Sequence, residues 1–150
     1  MKSIYFGILL ISISSNVSAN ERVMEFFDKY ILLDRSFDPA IGQYYSDEAT
    51  LTITQIRVGH EPRSMQLTGS KLKAILPAAM PIARATNDRN KYSDIRVEKE
   101  TGDRFKISAS RYSEKKCYLD ENYFMVVVPN ENSGFIIIEE SAVSQQHSSC

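Results

Sequence analysis

The sequence predicts a single α+β domain, because its helix signals come first and its long strand signals come last. Two helical segments, a pair of short strands and a third helix precede three or four longer strands. Strands that follow one another without an intervening helix pair in antiparallel fashion, and this order is typical of helices packed on one sheet. Residues 20–143 would form the domain, which is a usual size for one hydrophobic core.

The first nineteen residues, 1–19, predict a cleavable signal peptide. Lys2 supplies a positive charge, a short apolar stretch follows it, and Val17-Ser18-Ala19 is close to the small-residue pattern of a cleavage site. An uncleaved membrane anchor is the alternative, but the apolar stretch is much shorter than the ~20 residues that span a bilayer. We therefore expect a periplasmic or secreted protein that begins at Asn20.

Removal of that segment leaves 17 basic and 19 acidic residues and a net charge of −2, since Lys2 is its single charge. This balance argues against a nucleic-acid-binding protein, whose binding face usually carries an excess of Lys and Arg. The last seven residues, 144–150, predict a polar tail with little order.

Amphipathic spacing predicts the first helix, from an N-cap at Asn20 to about Asp34. Its apolar face consists of Val23, Phe27, Tyr30 and Ile31. A short second helix is expected after Asp38, which would cap it, with Pro39 at the first helical position.

Two strands, 51–58 and 64–68, lead to a third helix that opens at Gly69-Ser70. Because proline lacks the backbone donor, a kink or a restart of this helix is expected at Pro77. The later strands are expected at 92–98, 105–112, 123–128 and 135–140. The turn signal Thr101-Gly102-Asp103 joins the first two of them and would place Tyr92 opposite Tyr112.

The two cysteines predict a disulfide, because exported proteins keep such bonds. A hairpin turn centred near Glu131 and Asn132 places Cys117 opposite residue ~146 in an antiparallel ladder. Cys150 lies just beyond that point, so the pair can meet. Two free thiols are the alternative.

Three segments resemble the nuclear transport factor 2-like superfamily. They are Phe26-Phe27 in the opening helix, the Tyr-Tyr-Ser-Asp-Glu-Ala junction at 44–49, and the last strand at 135–140. The resemblance covers roughly residues 21–143 and implies a curved sheet that forms a cone around a pocket. The chain departs from it at Phe135, where many members carry Trp.

The superfamily contains isomerases and dehydratases, and also non-enzymatic binding modules and assembly domains of envelope complexes, including type IV secretion machines. The resemblance implies an exported non-enzymatic domain that binds a small molecule or a protein partner, without a cofactor. A small cofactor-free isomerase or hydro-lyase and an assembly component of an envelope complex are the alternatives. A homodimer through the sheet is a further expectation.

Arg111 is the centre of the predicted site. The strand period of two places it on the same face as three apolar residues, Phe105, Ile107 and Ala109. If this face is the core, the guanidinium needs a carboxylate partner, for which Glu139 is the candidate. The predicted polar ligand pocket consists of Tyr44, Arg111, Tyr112 and Glu139. The alternative is a structural ion pair with surface aromatic side chains beside it.

Other chemistry has less support in the sequence. His60 and His147 lack partners at ligand spacing, so no metal site is expected. An isomerase would need a carboxyl group of raised pKa beside a phenol. Asp34 and Asp38 are the candidates, but capping accounts for Asp38, and no catalytic residue is assigned.

Overall fold

The computed structural model describes residues 17–145 and residue 150. Most of the predicted signal peptide therefore lies outside the described residues. The elements are α1 (Ala19–Ser36), a 3₁₀ helix (Pro39–Tyr44), β1 (Tyr45–Ile56), β2 (Arg63–Thr68), α2 (Gly69–Ala85), β3 (Asn90–Lys99), β4 (Phe105–Ser113), β5 (Tyr118–Asn130) and β6 (Gly134–Gln145).

The six strands form one mixed, open sheet with the order β2-β1-β6-β5-β4-β3. β1 runs parallel to β6, and every other neighbouring pair is antiparallel. The predicted α+β class, with helices on a mostly antiparallel sheet, is confirmed. The C-terminal strand lies between β1 and β5, so the last part of the chain holds the two halves of the sheet together.

A capping box begins α1. The Ser18 hydroxyl accepts from the Glu21 amide at 3.2 Å, and the Glu21 carboxylate accepts from the Ser18 amide at 2.8 Å. Asn20, the expected cap, lies inside the helix instead, because Ser18 and Glu21 satisfy two backbone donors at once. The predicted cap of the next helix is confirmed, since Asp38 accepts from the Ala40 amide at 2.9 Å.

Of the kink or restart expected at Pro77, the restart does not occur, because α2 continues through both of its prolines. Pro77 and Pro81 are both exposed, and each removes one backbone bond on the solvent side, where water can satisfy the freed carbonyl. The start of α2 fits tightly against β1. A Cβ on Gly69 would lie 1.8 Å from the Ser46 carbonyl oxygen, so only glycine fits there.

The core lies between α1 and the inner face of the sheet. α1 buries Val23, Phe26, Phe27 and Tyr30. The sheet contributes apolar side chains from four strands, among them Leu51, Phe105, Ile107, Ala109, Met125, Val127 and Ile137. The alternation predicted for β4 is therefore correct.

The β3–β4 hairpin follows the predicted register near its turn and departs from it farther away. Lys99 pairs with Phe105 as expected, but the register shifts between Ser93 and Arg96. The shift pairs Tyr92 with Arg111 rather than with Tyr112, because an irregularity in one strand moves every later pair by one residue.

Cys117 and Cys150 form a disulfide with Cα atoms 5.1 Å apart, which confirms the predicted pair. The bond attaches the end of the chain to the turn between β4 and β5. Within residues 17–145, neither α-helix combines the length and the apolar character of a membrane span.

Candidate ligand-binding cleft

A carboxylate with three phenol donors lies on the inner face of the sheet. Glu140 accepts hydrogen bonds from Tyr45 at 2.6 Å, from Tyr123 at 2.7 Å and from Tyr30 at 3.2 Å. The hydroxyl oxygens of Tyr30 and Tyr45 are 3.0 Å apart. The three tyrosines belong to α1, β1 and β5, so this network joins the helix to both halves of the sheet.

The same tyrosines are neutral donors. Burial, followed by the negative charge of Glu140, raises the pKa of Tyr30, Tyr45 and Tyr123 well above the usual value of 10.0. Since all three phenols donate to it, Glu140 has little capacity left for another donor. We interpret the network as structural.

A second inward carboxyl group lies near the end of α1. Asp34 accepts from the side-chain Nδ2 of Asn90 and from the Tyr92 hydroxyl, both at 3.5 Å. Burial raises the pKa of Asp34 to about 6; the hydrogen bond from Asn90 opposes this shift, and the charge of Glu140 adds to it. A carboxyl group with this pKa can accept or deliver a proton near neutral pH.

Arg111 extends from β4 into the same interior. Its Nη2 donates to the Val143 carbonyl at 2.9 Å and lies 3.7 Å from the carboxylate of Asp120. Asp120 is 2% exposed and accepts from the backbone amides of Val143 at 2.7 Å and Asn122 at 3.0 Å. The Nε of Arg111 is buried and has no hydrogen-bond partner among the described residues.

Arg111 and Asn90, the side-chain partner of Asp34, line a cleft of about 230 Å³. Its polar lining comes from β3, β4, β6 and the adjoining turns: Asp88, Asn90, Arg111, Ser113, Lys116 and Ser144. Pockets for drug-sized molecules usually measure about 300–1,000 Å³, so this cleft suits a smaller ligand.

No known family model and no curated protein matches the sequence, but solved structures match its fold. A nuclear transport factor 2-like protein of unknown function from Shewanella oneidensis has a TM-score of 0.61 at 10% identity, over 85% of this chain and 100% of that one. The yeast UBP3-associated protein BRE5 has a TM-score of 0.62 at 14% identity, over 85% and 96%. A protein from Novosphingobium aromaticivorans, described as nuclear transport factor 2-like with a cystatin-like fold, has a TM-score of 0.57 at 13% identity, over 83% and 80%.

The chain has the nuclear transport factor 2-like fold. This confirms the predicted resemblance at the level of architecture, and identities of 10–14% carry no information on activity. In this example of the nuclear transport factor 2-like fold, the cleft opens between the ends of β3, β4 and β6.

Arg111 lines the cleft, whereas the other three residues of the predicted pocket lie elsewhere. Tyr44 packs on Phe26, with ring centres 5.0 Å apart. Tyr112 follows Arg111 on β4 and therefore faces the outer side of the sheet, where it is 36% exposed. Neither tyrosine is among the residues that line the cleft.

The predicted ion pair between Arg111 and Glu139 is wrong. The Glu139 side chain is 42% exposed on the outer face and lies 3.7 Å from Arg104. The carboxylate beside Arg111 belongs to Asp120 on the neighbouring strand.

A β-bulge explains why Glu139 faces outward and Glu140 inward. The pairing of β5 with β6 shifts register between Val126 and Val127, and Ile138 is the extra residue of β6. One extra residue reverses the alternation of the strand, so every side chain after it changes face.

Metal chemistry has no basis in the described part of the chain. Residues 17–145 and 150 contain no group of three His, Cys, Asp or Glu that could hold a metal ion. His60 is exposed in the turn between β1 and β2, and His147 lies outside the described residues.

Proposed function

We propose that the protein binds a small molecule in this cleft and that Arg111 orients it. The observation that carries the proposal is the buried Nε of Arg111, which lacks an acceptor among the described residues. A buried donor left unpaired costs about 1–3 kcal/mol, and an acceptor oxygen on a ligand would remove this cost. Asp120, Val143 and Tyr118 engage Nη2, and none of them engages Nε.

The rest of the lining supports a polar ligand. Asn90, Ser113 and Ser144 supply neutral hydrogen-bonding groups, and Lys116 supplies a second positive charge. Side chains from separate strands converge there, and such a concave arrangement with a few polar groups is typical of a small-molecule site.

A fragment screen by nuclear magnetic resonance of the ¹⁵N-labelled protein tests the proposal. Fragments with an acceptor oxygen should shift the amides of Asn90, Arg111, Ser113 and Ser144. Arg111→Lys keeps the positive charge near Asp120 but loses Nε, and we expect it to weaken binding about tenfold, equivalent to about 1.4 kcal/mol.

Arg104→Lys is the matched control, because Arg104 lies near Glu100 and Glu139 on the outer face and does not line the cleft. It should leave binding unchanged. Fragments that shift only amides outside the cleft, or that bind Arg111→Lys as well as the wild type, would overturn the proposal.

The second candidate is a cofactor-free enzyme that moves a proton, and Asp34 is the observation that favours it. Its carboxyl group has a pKa of about 6 and lies beside the phenol of Tyr92. If Asp34 acts as a base, carbonyl fragments in the cleft should exchange their α-hydrogens with D₂O in the wild type but not in Asp34→Asn. If the wild type binds the fragments but their α-hydrogens do not exchange, the enzyme hypothesis is wrong and the protein is a binding protein.

We also propose that two copies of the protein associate through the outer face of the sheet. Tyr112 and Leu119 are cross-strand partners there, 36% and 47% exposed. Leu119→Asp should convert a dimer to a monomer in size-exclusion chromatography with light scattering. A monomeric wild type would refute the association.

A further inference from the structure

Four cations belong to the cleft lining or neighbour one of its residues, and we call them the basic rim: Arg35, Arg89, Lys91 and Lys116. Lys116 lines the cleft itself. Arg35 donates to the carbonyl of Asn90, a cleft residue, at 2.8 Å. Arg89 and Lys91 flank Asn90 in the chain, and Glu114 contacts the Lys91 and Arg35 side chains and donates its amide to the Arg89 carbonyl.

The rim has more positive than negative charge. Glu114 lies among its cations, 3.1 Å from Lys91 and 3.8 Å from Arg35. Asp88 is the carboxylate of the cleft lining. The four cations of the rim and these two carboxylates together carry two positive charges. The whole chain, by contrast, has a net charge of −1. Such a local excess attracts anions.

A second guanidinium group also has a free donor. Among the described residues, two buried side-chain nitrogen or oxygen atoms lack a partner, and both are arginine Nε atoms, those of Arg89 and Arg111. The Arg89 guanidinium lies over the ring of Phe37, 5.3 Å from its centre, which holds it at the C-terminal end of α1. Two guanidinium groups near Asn90, in the chain or across the sheet from it, thus each keep one buried donor without an acceptor among the described residues, and charged donors favour anionic acceptors.

The inward carboxylates have donors of their own. Glu140 accepts from three tyrosines, and Asp120 accepts from two backbone amides. Asp34 accepts from Asn90 and Tyr92. These bonds account for the interior negative charges. In the rim, Glu114 is the single carboxylate among the described residues that pairs with both Lys91 and Arg35.

We infer that the ligand is a small organic dianion, with one acidic group at Arg111 and the other at the basic rim. This rests on the proposed function and adds the ligand class. A small dicarboxylate meets both requirements, and the volume of the cleft, about 230 Å³, suits its size.

Calorimetric titration with three matched compounds tests the inference: glutarate with two carboxylates, butyrate with one, and the neutral glutaramide. We expect glutarate to bind about tenfold more tightly than butyrate, and its affinity to fall as salt rises. Lys91→Gln and Arg89→Lys should each weaken glutarate several-fold and leave butyrate unchanged. Lys106→Gln is the control, since Lys106 lies over Phe124 on another part of the sheet.

The outcomes separate the ligand class from the proposed function. If glutaramide or butyrate binds as tightly as glutarate, the dianion inference is wrong and the cleft remains a binding site. If neutral fragments occupy the cleft but glutarate does not bind, the inference is also wrong. If no fragment and none of the three compounds binds the cleft, the proposed function fails together with it.

Discussion

The guanidinium of Arg111 lies 3.7 Å from the carboxylate of Asp120, its direct cross-strand partner on β5. Asp120 is itself fixed by two backbone amides, one of them from β6. The pair therefore connects three strands and holds Arg111 in position while its Nε remains free. The sequence presents a structural ion pair and a ligand anchor as alternatives for Arg111. The structure has the ion pair, with Asp120 as the partner, and we propose the ligand anchor in addition.

Removal of Asp120 should destabilise the fold strongly. Asp120→Ala leaves the guanidinium of Arg111 and two amides unpaired, so we expect a loss of about 3–5 kcal/mol in the free energy of unfolding. Asp120→Asn keeps an acceptor and the shape, and should cost less. Urea unfolding measures both. Glu121→Ala, at the exposed neighbour, should change stability by less than about 0.5 kcal/mol. Equal effects of the two alanine variants would show that the ion pair is unimportant.

Asp34→Asn should stabilise the protein at alkaline pH. The folded pKa of Asp34 is about 6 against an ordinary value of 3.8, so the folded state holds the proton more tightly and stability falls as pH rises from about 4 to about 6. The ionised carboxylate then costs up to about 3 kcal/mol above this range. The free energy of unfolding should be larger for Asp34→Asn than for the wild type at pH 8, and the two values should be equal at pH 4. A difference that does not vary with pH would refute this.

The disulfide should contribute strongly to stability. It closes a loop between residues 33 apart in sequence. The chain-entropy relation gives about 3–4 kcal/mol for such a loop. The Cys117→Ser, Cys150→Ser double variant should unfold at correspondingly lower urea concentration, and reduction of the wild type should match it. Two titratable thiols in denatured, unreduced protein from an oxidising compartment would exclude the bond.

If the protein is exported and its signal peptide is cleaved, the mature chain should begin at Asn20. Intact-mass analysis of protein recovered from the periplasm or the medium measures this directly. Cleavage there would also remove Ser18 and its capping box, which is worth about 0.5–2 kcal/mol, and leave Asn20 as the nearest capping residue. Full-length protein in the membrane fraction would contradict the prediction.

The sequence predicts the order of the elements and the inward face of Arg111, because β4 alternates regularly. It also predicts the Cys117–Cys150 disulfide, since the pair can meet even though the β5–β6 register differs by one or two residues from the expected one. It failed beyond β-bulges, because one extra residue reverses every later side chain. For this reason Glu139 faces the outer side of the sheet and Glu140 the inner side. The register shift between β4 and β5 pairs Asp120 with Arg111, and a regular ladder would not predict this partner.

The tyrosine network has one signal in the sequence. Tyr30 shares the apolar face of α1 with Val23 and Phe27, and a buried phenol requires a hydrogen-bond partner. That requirement predicts a polar group opposite Tyr30. It does not identify Glu140, which comes from a strand more than a hundred residues away.

A crystal structure of the protein with the tightest-binding cleft fragment would show whether Arg111 contacts the ligand. We expect the fragment in the cleft, with an acceptor oxygen about 2.7–3.2 Å from the Nε of Arg111 and the Arg111–Asp120 pair intact. A fragment bound without contact to Arg111, or a guanidinium of Arg111 turned into solvent away from Asp120, would contradict it.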